Sequence, residues 1–347
     1  MLLVLALVPA AAGCVSHPIG APGLENPPCR PGNERFPGKT VPYCCLLTMD
    51  QDGLPFRDTS RETVDAARLA RCHYRLADYY KDDPSYDPDQ IFDDLARQLT
   101  AQCGSDRTLV VLIHGFCSTM PESRRAYKAT RRQIEFVYPG RKFAYLEVYW
   151  DGLYGSPASI WASAQCNSKW AGLGLRKLLS KLPPSLPTRV ITHSRGASVI
   201  CAALWNDELR ASAAENRRYR EAQQKLPPPV LPGLRIGMLA PAMRPCDLER
   251  YFDRGEGTFY FHDRIVLGIN PDDYALNCGG LFWVMGTSLG CSPEAVDSIV
   301  APRFNYGRAV VFRVDFSGSV EHAFEDYVMR DVFEDEFLPK LFDAPEA

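Results

Sequence analysis

The sequence contains no block of like charge, no internal repeat and no low-complexity tract beyond a short segment near its start. Its 347 residues carry a formal net charge of −3, and the lysines and arginines are scattered. Attraction to a phosphate backbone requires a basic patch, so the composition argues against a nucleic-acid partner. A hydrophobic share of 46% is typical of one large globular α/β domain with an extension.

No Cys-x-x-Cys pair occurs among the 12 cysteines, and Cys44 and Cys45 are adjacent, so the spacing argues against a zinc site. No other metal and no cofactor is implied. This many cysteines is unusual in a reducing cytosol, and we therefore expect an exported protein with disulfide bonds. Cys201 is the exception, because its apolar surroundings predict a plain buried thiol.

The first residues lack the Lys or Arg that normally opens a secretory signal, yet they form the apolar run Leu2–Val8. The run is too short to cross a bilayer comfortably. The small residues before Cys14 resemble a bacterial lipobox, in which the signal is removed and the new terminal cysteine carries lipid. This resemblance implies lipid attachment at Cys14 and a membrane-anchored protein of the cell envelope, on its periplasmic or extracellular side. A secreted protein without lipid, or an unprocessed apolar terminus, are the alternatives.

The chain divides into four predicted segments. Residues 1–13 form the signal segment, and the Pro- and Gly-rich residues 14–40 form a tether. Residues 41–106 hold an edge hairpin (41–49 with 54–56) and two helices (61–80 and 89–102), packed on the main domain. The catalytic core spans 107–347.

Six apolar runs alternate with helical segments in this core, and most are apolar at nearly every position. Strands buried on both faces of a parallel sheet have this character. The alternation predicts an α/β fold with a doubly wound, mostly parallel sheet and helices on both faces. The predicted strands are Leu109–Ile113, Phe143–Tyr149, Val190–Thr192, Leu234–Leu239, Ile265–Ile269 and Val310–Val314.

Ser194 lies where one of these strands meets a small-residue helix, the place where a nucleophile elbow presents its hydroxyl. Asp273 and His322 follow two later strands, so the chain order is Ser, Asp, His. From about Arg107 to Phe324 the chain resembles the α/β-hydrolase superfamily, in particular its bacterial esterase- and lipase-like members. The matching segments are residues 112–116 (LIHGF), 192–196 (THSRG), 239–241 (LAP), 270–276 (NPDDYAL) and 321–324 (EHAF). Thr192 departs from the pattern, because it replaces the first glycine of Gly-x-Ser-x-Gly, whereas Gly196 is retained.

The resemblance implies a catalytic triad in which Ser194 attacks, His322 transfers the proton and Asp273 orients the imidazole. Asp272 is the second choice for the acid, since a loop can present either neighbour, and Asp247 after the preceding strand is a third. The remaining histidines receive no catalytic role. We expect His193 to point away from the serine, His114 to belong to the oxyanion loop, His17 to the tether, and His73 and His262 to be ordinary polar residues.

The resemblance also implies an oxyanion hole formed by the backbone N–H groups of Phe116 and Arg195, with Cys117 as neighbour. The Arg195 side chain is a separate matter, because a cation at a helix amino terminus opposes the macrodipole. The presence of Arg195 there is explained either by an ion pair with a nearby carboxylate, which we prefer, or by binding of an anionic substrate. Residues 277–303 form either a flap closed by a Cys278–Cys291 disulfide or a helix packed on the sheet.

These features together predict a serine hydrolase that cleaves carboxylic esters, lipid esters included, through an acyl-enzyme. The expected partner is therefore a small-molecule or lipid ester. An acyltransferase would use the same triad and differ only in the acceptor. A binding lipoprotein of the envelope that keeps the hydrolase fold without catalysis is the third alternative.

Overall fold

The structure is a computed structural model that describes residues 35–36, 39–40, 43–57, 68, 71–73, 75–153, 157–206, 208–209, 211–226, 228–248, 264–277, 288–297, 310–318 and 321–343. The strands within these residues are β1 (Arg35–Phe36), β2 (Lys39–Thr40), β3 (Cys44–Thr48), β4 (Arg107–Ile113), β5 (Lys142–Tyr149), β6 (Thr188–His193), β7 (Arg235–Leu239), β8 (Arg264–Ile269) and β9 (Val310–Asp315). The helices are α1 (Leu76–Tyr79), α2 (Pro88–Cys103), α3 (Met120–Val137), α4 (Pro157–Leu179), α5 (Gly196–Leu204), α6 (Ala213–Lys225), α7 (Tyr274–Asn277), α8 (Pro293–Ala295), α9 (Phe324–Val328) and α10 (Leu338–Phe342). A 3-10 turn covers Leu289–Cys291, and a π-helical segment covers Phe333–Phe337.

Seven strands form one sheet in the order β3-β5-β4-β6-β7-β8-β9, and every neighbouring pair is parallel. The chain runs outward from β4 to β5 and then returns to the other side of β4 as β6. The strand order therefore reverses between β4 and β6, which is where open α/β sheets place their binding crevice. The predicted α/β fold with a doubly wound parallel sheet is confirmed.

Successive residues of β4 contribute to different cores, which places helices on both faces of the sheet. Leu109, Val111 and Ile113 pack in a cluster with residues of α2, α4 and α5. Val110 and Leu112 pack in a second cluster with residues of α3, α9 and α10. All five side chains are fully buried. A strand that is apolar at every position is stable only when both of its faces are covered in this way.

The ends of the long helices follow from local chemistry. Asp87 precedes α2, and its carboxylate accepts the N–H groups of Asp89 and Gln90, while Pro88 occupies the first helical position. Thr119 and Glu122 form a reciprocal capping box at the start of α3. Gly104 ends α2 with a φ of 56°, a value that glycine adopts without steric cost.

The segment before residue 107 differs from the prediction. The predicted edge hairpin is found in part. An antiparallel bridge joins Met49 to Pro55, and the Phe56 N–H donates to the Thr48 carbonyl at 2.9 Å, whereas β3 itself is a parallel edge strand beside β5. All five residues of β3 are buried, and a strand without a solvent-facing side is suited to the large sheet. Of the predicted helix 61–80, the part from 76 to 79 is observed, and residues 58–67, 69–70 and 74 lie outside the described residues.

No disulfide joins any two of the nine cysteines that the structure describes, so the predicted disulfides are wrong for this part of the chain. Five of these cysteines are buried, and the other four are partly exposed. Burial raises the pKa of Cys45 to about 12 and that of Cys103 to about 11, which keeps both thiols protonated and unreactive. Cys201 is a fully buried thiol in α5, as predicted.

Candidate active site

Ser194 occupies the sharp turn between β6 and α5. Its φ of 50° lies in the left-handed region that non-glycine residues rarely adopt. Two hydrogen bonds with the end of β7 and the loop after it hold Ser194 in this conformation. The Ser194 N–H donates to the carbonyl of Leu239 at 2.9 Å, and the Ser194 carbonyl accepts the N–H of Ala242 at 3.1 Å. A strained residue fixed on both sides is typical of functional turns.

Two glycines let the elbow approach β4. A Cβ atom on Gly115 would lie 2.9 Å from the Cβ of Ser194, and one on Gly196 would lie 2.6 Å from the carbonyl oxygen of His114. Thr192, which replaces the first glycine of the family pattern, is fully buried in β6 between Ile113 and Met238. The close approach thus depends on Gly115 and Gly196 and leaves room for a threonine at 192.

Ser194, His322 and Asp273 are joined by hydrogen bonds. The Nε2 atom of His322 lies 2.9 Å from the hydroxyl of Ser194, and its Nδ1 atom lies 2.6 Å from Oδ2 of Asp273. With the proton on Nδ1, the imidazole donates to the carboxylate and accepts from the serine hydroxyl. The three residues follow β6, β9 and β8, so the ends of three parallel strands bring together side chains that are far apart in sequence.

The Asp273 carboxylate is fully buried, and its hydrogen bonds other than the one with His322 are made by groups that the sequence analysis missed. The Tyr327 hydroxyl donates to the same Oδ2 atom, and the amide of Asn270 donates to that hydroxyl at 3.0 Å. Oδ1 accepts the N–H of Leu276 at 3.1 Å, at the start of α7. Burial raises the pKa of Tyr327 far above its ordinary value, so the phenol remains a donor to the carboxylate.

The two alternative acids have other partners. Asp272 accepts the N–H of Gly318 at 2.7 Å and thereby ties the turn that precedes His322 to the loop after β8. Asp247 forms a two-pronged ion pair with Arg244, at 2.8 and 3.1 Å. The geometry therefore favours Asp273 as the acid, with Asp272 in a supporting position.

His193 does not point away from the site, contrary to expectation. Its ring centroid lies 4.7 Å from that of His322 and 5.1 Å from that of Phe324, on which it stacks. The positive φ at Ser194 turns the chain immediately after His193, so the side chains of both His193 and Ser194 contact His322. Burial, reinforced by the neighbouring His322, lowers the pKa of His193 well below its ordinary value. His193 is consequently a neutral packing partner of His322.

The other described histidines have structural positions. His114 is buried, its Nε2 accepts the N–H of Trp150 at 3.1 Å, and its ring stacks on the indole of Trp150. Burial lowers its pKa to about 4. His73 is exposed, whereas His17 and His262 lie outside the described residues, as does Cys14.

The predicted oxyanion donors lie on either side of the serine. Within the part of the chain that the structure describes, the N–H groups of Phe116 and Arg195 donate to no acceptor. Cys117 differs, because its N–H donates to the carbonyl of Gly152 at 3.2 Å and its φ is 57°. This hydrogen bond fixes the loop after β4 and leaves Phe116 as the available donor. Its place in an oxyanion hole stays a prediction.

The Arg195 side chain is buried without the carboxylate partner that we preferred. Only 7% of the residue is exposed, and Nη1 donates to the carbonyl of Ala242 at 3.1 Å. Its Nε is buried and has no hydrogen-bond partner. No Asp or Glu of the described residues forms an ion pair with it, because the nearby Asp247 is held by Arg244.

The predicted flap is described in part, over residues 288–297. Leu289 and Gly290 are anchored to the ends of β7 and β8, because their N–H groups donate to Met243 and Pro241 and the Gly290 carbonyl accepts from Asn270. Cys291 is a buried thiol 3.4 Å from the carbonyl of Ser288. The predicted Cys278–Cys291 disulfide is therefore wrong, since this thiol is free. Cys278 lies outside the described residues.

Among the residues described, no group of three or more His, Cys, Asp and Glu side chains is placed to bind a metal ion. Within the same residues, each helix is too short or too polar to cross a bilayer.

No protein-family model and no curated protein matches the chain. Solved structures with a similar fold include the apo form of Thermogutta terrifontis esterase 2, with 16% identity and a TM-score of 0.35 over 70% of this chain and 87% of that one. The same esterase phosphorylated by paraoxon gives 14% identity and a TM-score of 0.33 over 70% of this chain and 86% of that one. Similarity at this level does not indicate an activity, and the function is therefore inferred from the geometry of the site.

Proposed function

We propose that the protein is a serine hydrolase that cleaves carboxylic esters through an acyl-enzyme. The observation that carries this proposal is the continuous hydrogen-bonded row from Ser194 through His322 to Asp273, with the serine held at a φ of 50°. A serine hydroxyl attacks an ester only when a base removes its proton during attack. A base that is itself oriented by a buried carboxylate meets this requirement.

In the first half of the reaction, Oγ of Ser194 forms a bond to the ester carbonyl carbon while its proton passes to Nε2 of His322. The carbonyl π electrons move onto oxygen, and the N–H groups of Phe116 and Arg195 stabilise the resulting oxyanion. Collapse of the tetrahedral intermediate breaks the bond to the alkoxy oxygen. His322 returns the proton to that oxygen, and the alcohol leaves.

In the second half, water attacks the acyl-enzyme and gives its proton to Nε2 of His322. The bond between Oγ and the acyl carbon breaks, the proton returns to Ser194, and the free acid leaves. Asp273 stays ionised and balances the imidazolium in both halves. The Tyr327 hydroxyl and the N–H of Leu276 hold the carboxylate in the orientation that this requires.

A fluorophosphonate probe tests the proposal directly, because it phosphorylates only an activated serine. We expect the wild type to be labelled and to hydrolyse short 4-nitrophenyl esters, and Ser194→Ala and His322→Ala to lose both properties. Ser180→Ala is the matched control, because this exposed serine at the end of α4 bonds only its own helix through Lys177. A folded wild type that takes up no probe and cleaves no ester would overturn the proposal in favour of a binding protein.

We further propose that Cys14 carries lipid and anchors the protein to the cell envelope. The support is the small-residue sequence that precedes Cys14 after an apolar run. In the native host we expect the protein in the membrane fraction, and Cys14→Ala in the soluble fraction with no lipid mass. An unmodified Cys14 in the intact mass spectrum of the wild type would contradict the anchor.

A further inference from the structure

Arg195 carries a buried guanidinium that forms no ion pair with an Asp or Glu of the described residues, and the Asp247 carboxylate that favours its charge is paired with Arg244. The residue is 7% exposed, and its Nε is buried without a hydrogen-bond partner. Among the described residues, its side chain donates one hydrogen bond, to the carbonyl of Ala242, which is a neutral acceptor. Burying a cation without a counterion is costly, so such a group normally serves a function that requires it.

The Arg195 guanidinium packs on an aromatic side chain that contacts the loop after β4. Arg195 follows the nucleophile directly in sequence, and its Cζ atom lies 5.4 Å from the centre of the Trp161 ring. Trp161 also contacts the Phe116 ring, whose centroid is 5.0 Å away in an edge-on arrangement. Phe116 in turn packs on Leu153 and Ala164. The indole therefore connects the cation to the loop that supplies the second oxyanion donor.

A second basic side chain, that of Lys169, lies near Arg195. Lys169 lies on α4, and its pKa is lowered to about 7 by burial of the ammonium group and by the nearby Arg195, although the residue as a whole retains some exposed surface. Both Arg195 and Lys169 interact electrostatically with the carboxylate of Asp247, which forms an ion pair with Arg244. Among the described residues, the Asp247 carboxylate thus lies near three basic side chains, those of Arg195, Lys169 and Arg244.

We propose, on the basis of the serine hydrolase function above, that the substrate is an ester that also carries an anionic group, and that the Arg195 guanidinium binds this group. A carboxylate a few bonds from the scissile carbonyl supplies the missing counterion, and guanidinium recognises a carboxylate through paired N–H donors. Trp161 and Phe116 contact the apolar atoms between the anion and the ester.

The first test compares two substrates of equal length with the wild-type enzyme. One is the 4-nitrophenyl monoester of glutaric acid, which is an anion at neutral pH, and the other is its terminal amide, which is neutral. A hydrogen bond to a charged group corresponds to roughly 10- to 100-fold in kcat/KM, and we expect the anionic ester to be preferred by such a factor. Equal cleavage, or a preference for the amide, would overturn the proposal.

The second test removes the charge. In Arg195→Gln the ratio of the two kcat/KM values should fall to about one, mainly through a higher KM for the anionic ester. Arg195→Lys should retain part of the preference as a point charge. Arg218→Gln is the matched control, since Arg218 also lies over a tryptophan of α4, Trp170, but is largely exposed and remote from Ser194. A ratio that stays high in a folded Arg195→Gln would assign the preference to another residue and reject this role.

These outcomes separate the two proposals. Fluorophosphonate labelling together with cleavage of the neutral ester supports the serine hydrolase, whichever substrate is preferred. Preference for the neutral ester in a labelled enzyme therefore rejects only the anionic substrate. Absence of both labelling and ester cleavage rejects the hydrolase first. If Arg195→Gln does not fold, the wild-type comparison and Arg195→Lys still decide the matter.

Discussion

At the scale of single residues, the site consists of a triad supported by an outer set of aromatic and amide groups. Tyr327 and Asn270 extend the hydrogen-bonded row beyond Asp273, and His193 packs against His322. These contacts limit the rotation of the imidazole and of the carboxylate. Such support decides how often the triad is in its reactive geometry.

Tyr327→Phe removes the hydroxyl that donates to Asp273 and keeps the ring. We expect kcat to fall by about tenfold, because a hydrogen bond to a charged acceptor contributes ~1.5–3 kcal/mol and part of this is felt in the transition state. Steady-state kinetics on a 4-nitrophenyl ester would measure the change. Tyr86→Phe is the control, since that hydroxyl donates to the carbonyl of Pro55, away from the triad. Equal kcat values for Tyr327→Phe and wild type would show that this contact is only structural.

At the scale of secondary-structure elements, α5 matters most because it begins at the elbow and is buried along its whole length. Its carboxyl end is satisfied by the fully buried Arg176, whose guanidinium donates to the carbonyls of Ala202 and Ala203 at 2.9 and 3.0 Å, and also to that of Trp205. A cation at this end is favoured by the helix dipole. The helix is thus fixed at both ends, by Arg176 and by the elbow.

Gly196→Ala tests how closely α5 must approach β4. The added Cβ would lie 2.6 Å from the carbonyl oxygen of His114, and backbone on both sides prevents a small adjustment. We expect a loss of stability of ~1–3 kcal/mol and a fall in kcat/KM of about 100-fold, because the serine moves relative to His322.

Gly140→Ala is the control for that substitution, since a Cβ there meets no atom within 4 Å. Urea unfolding and ester kinetics on both variants would separate crowding at the elbow from a general effect of replacing glycine. If Gly196→Ala were as active as Gly140→Ala, the close approach would not be a requirement of the site.

The elements and the triad were predictable from the sequence for one physical reason. Continuous apolar runs define buried parallel strands, and parallel strands deliver the residues that follow them to one edge of the sheet. Ser194, Asp273 and His322 each follow such a run. The rest depends on long-range geometry. The face of α9 that carries Tyr327, the direction of His193 and the pairing of β3 with β5 are set by packing, which no local pattern encodes.

At the scale of the whole molecule, stability is coupled to pH through a buried acid at the edge of the sheet. Asp50 is fully buried after β3, and its carboxyl accepts the N–H groups of Leu76 at 2.7 Å, Leu54 at 2.9 Å and Asp52 at 3.0 Å. Burial raises the pKa of Asp50 to about 7. This one residue connects β3, the turn after it and α1.

The pKa of Asp50 in the folded protein lies above that of an unfolded aspartate, about 3.9. Between these two pKa values the folded state binds more protons than the unfolded state. The contribution of Asp50 to the free energy of unfolding is therefore complete below about pH 4 and is lost as the pH rises through 7. The slope is at most about 1.4 kcal/mol per pH unit. We expect urea unfolding between pH 5 and 8 to show this decline in the wild type and to lack it in Asp50→Asn. Parallel profiles for the two proteins would contradict the coupling.

The elbow has a consequence for how this site changes over evolutionary time. Its shape depends on a backbone dihedral angle and on two glycines, Gly115 after β4 and Gly196 at the start of α5, whereas Thr192 occupies the position at which the Gly-x-Ser-x-Gly motif has glycine. The oxyanion donors belong to the main chain and place no demand on side-chain identity. The residue at position 192 can therefore change over evolutionary time while the turn is kept, so the backbone geometry preserves such an elbow longer than its sequence motif does.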